Sequence, residues 1–185
     1  MGNALPKPAT YEDLLQVPEH LVAEILNGAL HTQPRPSPRH AWAASALGGK
    51  LANPFGLGDG GPGGWWILDE PELHLGDEVI VPDLAGWRRE RLPALPDDAW
   101  LDVAPDWVCE ILSPSTAKKD RAIKMPLYAS HEVSWLWLID PALRTLEAFA
   151  LHGGRWTLDT TLRDSDTVAL SPFEARPFQL SDLWS

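Results

Sequence analysis

Trp107 to Leu112 (WVCEIL) reads as a strand that has to lie inside a sheet: five apolar residues and one acid, closed by Ser113-Pro114-Ser115-Thr116. Strand alternation puts Val108, Glu110 and Leu112 on one face and Trp107, Cys109 and Ile111 on the other. Both faces are apolar, so both must be covered. Glu110 cannot be buried alone, because a carboxylate taken out of water needs a partner or a proton. Lys118, Lys119, Arg121 and Lys124 follow immediately and offer one.

Val79 to Trp87 (VIVPDLAGW) repeats the pattern around Asp83, which as a strand residue shares its face with Val79, Val81, Ala85 and Trp87. If the two strands are neighbours, Asp83 and Glu110 can point into one pocket. Magnesium takes hard oxygen ligands, commonly one or two carboxylates completed by water and phosphate oxygens. Such an ion lowers the pKa of a bound water, and a nearby lysine can position that water or stabilise developing negative charge.

The rest of the chain predicts an α+β fold, with a mixed, largely antiparallel sheet, few helices, and hairpins at both ends. Thr10 with Asp13 forms a capping-box pattern for a helix to about Val17. Leu21 to Leu26 and Ala29 to Thr32 flank Asn27-Gly28, which reads as a hairpin. Glu24 within its first strand reads, on strand pattern alone, as an outward-facing residue. Ser37-Pro38 starts a helix through His40 and Leu51, weakened late by Gly48-Gly49. Residues 56 to 64 lack the GK[ST] ending of a phosphate-binding loop and read as a flexible turn. Strand-like runs follow at Trp65–Leu68 and Glu72–Leu75, then a polar, proline-spaced excursion over 88–105. A helix from about Thr116 must kink or break at Pro126. A buried strand at Ser134–Asp140 and a hairpin around Gly153-Gly154 complete the pattern.

Length fits one domain over residues 10–185 behind a flexible arm at 1–9. The single cysteine, Cys109, reads as a small buried hydrophobe. The first residues lack a signal peptide and no run is long enough to span a membrane, so the expected place is the cytoplasm. A net charge of −11 opposes nucleic-acid binding by the molecule as a whole. Yet seven of the fifteen basic residues (Arg88, Arg89, Arg91, Lys118, Lys119, Arg121 and Lys124) follow directly after the two acids. The ten tryptophans are better explained by packing than by base stacking.

Pro82-Asp83, Glu110 before Ser113-Pro114-Ser115-Thr116, then Asp120-Arg121, Lys124 and Tyr128, form a set that resembles the Uma-type restriction endonuclease family of the PD-(D/E)xK nuclease superfamily. Glu24 before Asn27-Gly28, His40 at a helix start, and Trp137 to Pro141 extend the resemblance from about Tyr11 to the C-terminus. It implies a restriction-endonuclease-like core, with Asp83 and Glu110 holding magnesium or manganese. The superfamily's lysine stands two residues after the second acid, where this chain has Leu112; Lys124 from the following helix is the expected replacement, with Lys118 and Lys119 as rivals. Asp120, Lys124 and Tyr128 share one helix face.

The expected function is therefore metal-dependent hydrolysis of phosphodiester bonds in DNA. Lys124 would assist the water nucleophile and Glu24 would orient a water or lysine. His40, Lys119, Arg121 and Tyr128 are candidates for substrate contact, and a homodimer is expected by family analogy. Glu70 and Glu72 near Pro71 are candidate extra ligands, although solvated acids fit that turn equally. The alternatives are an inactive nuclease fold that binds nucleic acid or protein, and a hydrolase of other phosphoesters.

Overall fold

The computed structural model describes residues 7–185. Asn27 (φ 53°) and Gly28 (φ 73°) both take the left-handed conformation that a tight hairpin requires. They join β1 (Leu21–Leu26) to β2 (Ala29–Pro34). Thr10 and Asp13 form the reciprocal cap of α1 (Tyr11–Leu15). Of the arm expected at 1–9, residues 1–6 lie outside the described residues; Ala9 donates its N–H to Gly28 O at 2.8 Å.

Val79 to Trp87 is not one strand. It divides into β5 (Glu78–Ile80) and β6 (Leu84–Arg88), which belong to different sheets. Pro82 lacks the N–H a continuous ladder would need, and the chain changes sheet across Val81-Pro82-Asp83. β5 pairs with β1 and with β4 (Leu73–Leu75) in a four-stranded sheet of order β2-β1-β5-β4. β6 enters a six-stranded sheet with β3 (Trp65–Asp69), β7 (Trp107–Ile111), β8 (Trp135–Asp140), β9 (Thr145–His152) and β10 (Arg155–Arg163). Its order is β10-β9-β8-β7-β6-β3. Only β7 and β8 run parallel in it, joined by the helical segment after Thr116; the other pairs are antiparallel. β11 (Thr167–Val168) and β12 (Phe178–Gln179) form a small separate pair.

The two faces of β7 pack as alternation requires. Trp107, Cys109 and Ile111 meet Leu47 and Leu51 of α2 (Pro38–Leu51) and the C-terminal Phe173, Leu180 and Leu183. Val108 and Leu112 meet Leu26 and Ile80 of the four-stranded sheet and Tyr128. The six-stranded sheet is thus covered by a helix on one face and by a second sheet on the other. Ser37 caps α2 at the predicted place, and the helix runs through Gly48-Gly49 into a π-helical turn at Ala52–Leu57. The turn expected from residue 56 therefore begins inside a helix, and Gly61 is wedged against Pro54.

After β7 the chain forms α3 (Ala117–Lys119), a π-helical turn at Asp120–Lys124, and α4 (Met125–Ser130). The interruption expected of Pro126 is this π turn, which removes the demand for the missing N–H without ending the helix. Asp120, Lys124 and Tyr128 all turn inward, at 3%, 1% and 0% exposure. The arginines after β6 are engaged in packing: Arg88 lies over Trp65 and Trp135, Arg89 over Trp66, and Arg91 pairs with Asp106. Among the described residues no helix is long and apolar enough to cross a membrane.

Candidate active site

Glu24 is not the outward-facing residue its strand pattern predicts. It is 1% exposed, because β1 lies between β2 and β5 and Glu24 faces the helical segment after Thr116. Its Oε1 accepts from the Val81 N–H at 3.0 Å and lies 3.1 Å from Lys124 Nζ; its Oε2 pairs with Lys119 Nζ. Lys124 Nζ also donates to Val81 O at 2.9 Å and to Glu110 Oε1 at 2.7 Å. Tyr128 donates its hydroxyl to the same Glu110 oxygen. Lys119 Nζ reaches Gln33 Oε1 at 2.6 Å.

Asp83 sits just before β6, beside the end of β7. Its Oδ2 accepts the N–H of Ile111 at 2.6 Å and its Oδ1 pairs with His40 Nε2 at 2.8 Å. Ser37 caps the turn that carries His40, so the predicted helix start also aims the imidazole. Asp83, His40 and Gln33 line a cavity of about 320 Å³ whose wall includes Ser113, Ser115, Thr116, Arg35 and Glu70.

Burial pushes the Glu110 carboxyl up to about 8; Lys124 opposes this, and Asp120, Asp83 and Glu24 reinforce it. Burial works against the Lys124 ammonium, but Glu110 and Glu24 outweigh it and raise its pKa. Burial also works against the Glu24 carboxylate, yet Lys124 and Lys119 hold it below its usual value. Burial raises Asp120 despite Lys124 and the Thr116 hydroxyl. For His40, burial is overcome by the hydrogen bond and charge of Asp83, and its pKa rises.

The other predicted residues divide. Tyr128 belongs to the cluster, whereas exposed Arg121 pairs with Glu147 on β9 and Lys118 is exposed. Leu112, where the superfamily's lysine would stand, is packed in the core. Glu70 lies at the cavity rim near Arg35, and Glu72 is held elsewhere by Tyr11 and His74. Sequence reasoning missed Gln33 and the Val81 backbone, and it gave Asp120 no role in the site beyond sharing a helix face with Lys124 and Tyr128. The spacing of Asp120 from Lys124 and Tyr128 was the available signal for Asp120.

Among the described residues no three His, Cys, Asp or Glu side chains are grouped to hold a metal ion. A two-carboxylate magnesium site needs no such trio. Glu24, Asp83, Glu110 and Asp120 supply four carboxyl groups beside the ammonium groups of Lys119 and Lys124 and the imidazole of His40. Glu110 also keeps one oxygen in reserve. Its Oε1 is held by Lys124 and Tyr128, while Oε2 has no protein partner among the described residues. Hard oxygen donors, one of them a Glu110 oxygen without a protein partner among the described residues, fit a divalent cation that displaces a proton.

The fold defines the class. It matches the crystal structure of a putative nuclease belonging to DUF820 from Anabaena variabilis ATCC 29413, with a TM-score of 0.76 and 23% identity over 95% of this chain and 97% of that one. The two chains share this fold. The chain itself belongs to the Uma2 family, described as "Putative restriction endonuclease", whose profile matches residues 8–181. No curated protein matches the sequence.

Proposed function

We propose that this protein is a magnesium- or manganese-dependent endonuclease that hydrolyses phosphodiester bonds in DNA. The observation that carries the reading is the pair of Asp83 and Glu110 at the junction of β6 and β7, with one Glu110 oxygen left without a protein partner among the described residues. Asp83 and Glu110 would hold the ion. When bound, it supplies positive charge against phosphoryl oxygens and acidifies water. His40 fixes the orientation of Asp83, and Lys124 with Tyr128 holds Glu110 so that Oε2 stays free. Glu24 sets the positions of both lysines through its two oxygens. The family's description as restriction endonucleases supports DNA as the substrate. Double-strand cutting would use a homodimer.

Titrating Mn²⁺ into wild type and Asp83→Ala tests the site; equal binding by both defeats it. Plasmid nicking with and without the metal then reads the activity.

A second reading, a nuclease fold that binds without cutting, draws on the full engagement of Lys124 and on the net charge of −11. It predicts DNA or protein binding with no cleavage under any divalent ion.

A further inference from the structure

The two site lysines differ in how many donors they have left. An ammonium group carries three N–H donors. Lys124 Nζ has three acceptors around it, Val81 O, Glu24 Oε1 and Glu110 Oε1, and its side chain is 2% exposed. Nothing remains to reach a substrate. Lys119 Nζ has two acceptors, Glu24 Oε2 and Gln33 Oε1, and 14% of its side chain is exposed. One of its donors has no acceptor among the described residues.

Gln33 and Val81 tie both lysines to the wall of the candidate cavity. Gln33, which holds Lys119, is part of the cavity wall that carries Asp83 and His40. The same wall continues through Ser113, Ser115 and Thr116, the turn that leads into α3 and Lys119. Lys124 is held by the carbonyl of Val81, part of the same wall, and is locked by two carboxylates and that carbonyl.

We infer that Lys119 is the lysine that contacts the substrate phosphate, and that Lys124 is a positioning residue holding Glu110. The inference rests on the nuclease reading above. Glu24 divides its two oxygens between the lysines, so it fixes the phosphate-facing Nζ relative to the Glu110-facing one. An ammonium is suited to this contact as a point charge.

The test uses the full chain, short labelled DNA duplexes of unrelated sequence, and calcium in place of magnesium for binding. Lys119→Ala leaves Glu24 paired with Lys124 and the Val81 N–H, so the fold is retained, as a thermal melt will verify. The expected result is weaker binding to every duplex in the same proportion. The slope of log Kd against log salt should fall by about one, as loss of one phosphate contact requires. Lys119→Arg should restore the slope, which a purely structural role would not affect. If wild type cuts DNA while Lys119→Ala keeps the same affinity and slope, the Lys119 contact is overturned alone. If wild type neither binds nor cuts, the nuclease reading and this inference fall together.

Discussion

Glu110 and Lys124 meet at 2.7 Å with no more than 3% of either side chain exposed, an acid and a base facing each other between two sheets. Neither has bulk water to fall back on, so each depends on the other and on Glu24.

Lys124→Met keeps the volume and removes the charge, leaving Glu24 and Glu110 without their shared cation. Breaking a buried pair from one side costs about 3–5 kcal/mol. Urea unfolding of the variant should show a loss of this size, and a loss below 1 kcal/mol would contradict the charge network described above.

The raised pKa of Glu110 fixes the sign of a pH effect. Its folded value is about 8 against an ordinary 4.5, so across that window the folded chain holds a proton that the unfolded chain has released. This contribution to stability is present at pH 4.5 and below, and is lost as pH rises toward 8. With metal chelated, stability should therefore decline across this range, and Glu110→Gln should flatten the decline. The proton belongs on Oε2, the oxygen without a partner. Uptake of Mn²⁺ at pH 7 should release it, visible in calorimetry as a heat that changes with the buffer's ionisation enthalpy.

His40 acts on the site through Asp83. Residues that hold metal ligands in place typically contribute 10- to 100-fold to affinity. His40→Ala should weaken Mn²⁺ binding by about this factor, with a thermal melt checking that the variant is folded. Unchanged affinity would remove the positioning role.

Gly61 has no room for a side chain. A Cβ there would meet Pro54 Cβ at 2.4 Å and Pro54 O at 2.6 Å. Gly61→Ala should destabilise by about 1–3 kcal/mol through forced backbone shifts, measured by thermal unfolding. An unchanged melting temperature would show that this loop yields freely.

Features fixed by neighbouring residues were legible in the sequence. Asn27-Gly28 specifies its turn, Ser37-Pro38 its helix start, and the two faces of β7 follow from alternation alone. Asp120, Lys124 and Tyr128 share a face for the same local reason. Features set by distant partners were hidden. Glu24 looks outward-facing because its partner Lys119 comes from 95 positions away. Val79 to Trp87 looks like one strand because apolar content is continuous, and Pro82 was the only mark of the change of sheet. The expectation that Lys124 stands in for a lysine at position 112 came only from the family resemblance. Which lysine keeps a free donor required atomic contacts.

The joint at Val81-Pro82-Asp83 links the two sheets and also anchors the candidate site. Val81 fixes Glu24 and Lys124 through its backbone, while Asp83 grips β7 and α2. A slide of one sheet over the other would therefore pull the acids and lysines out of alignment together. The geometry of the candidate site and the seating of the sheets become a single mechanical property, carried by three residues.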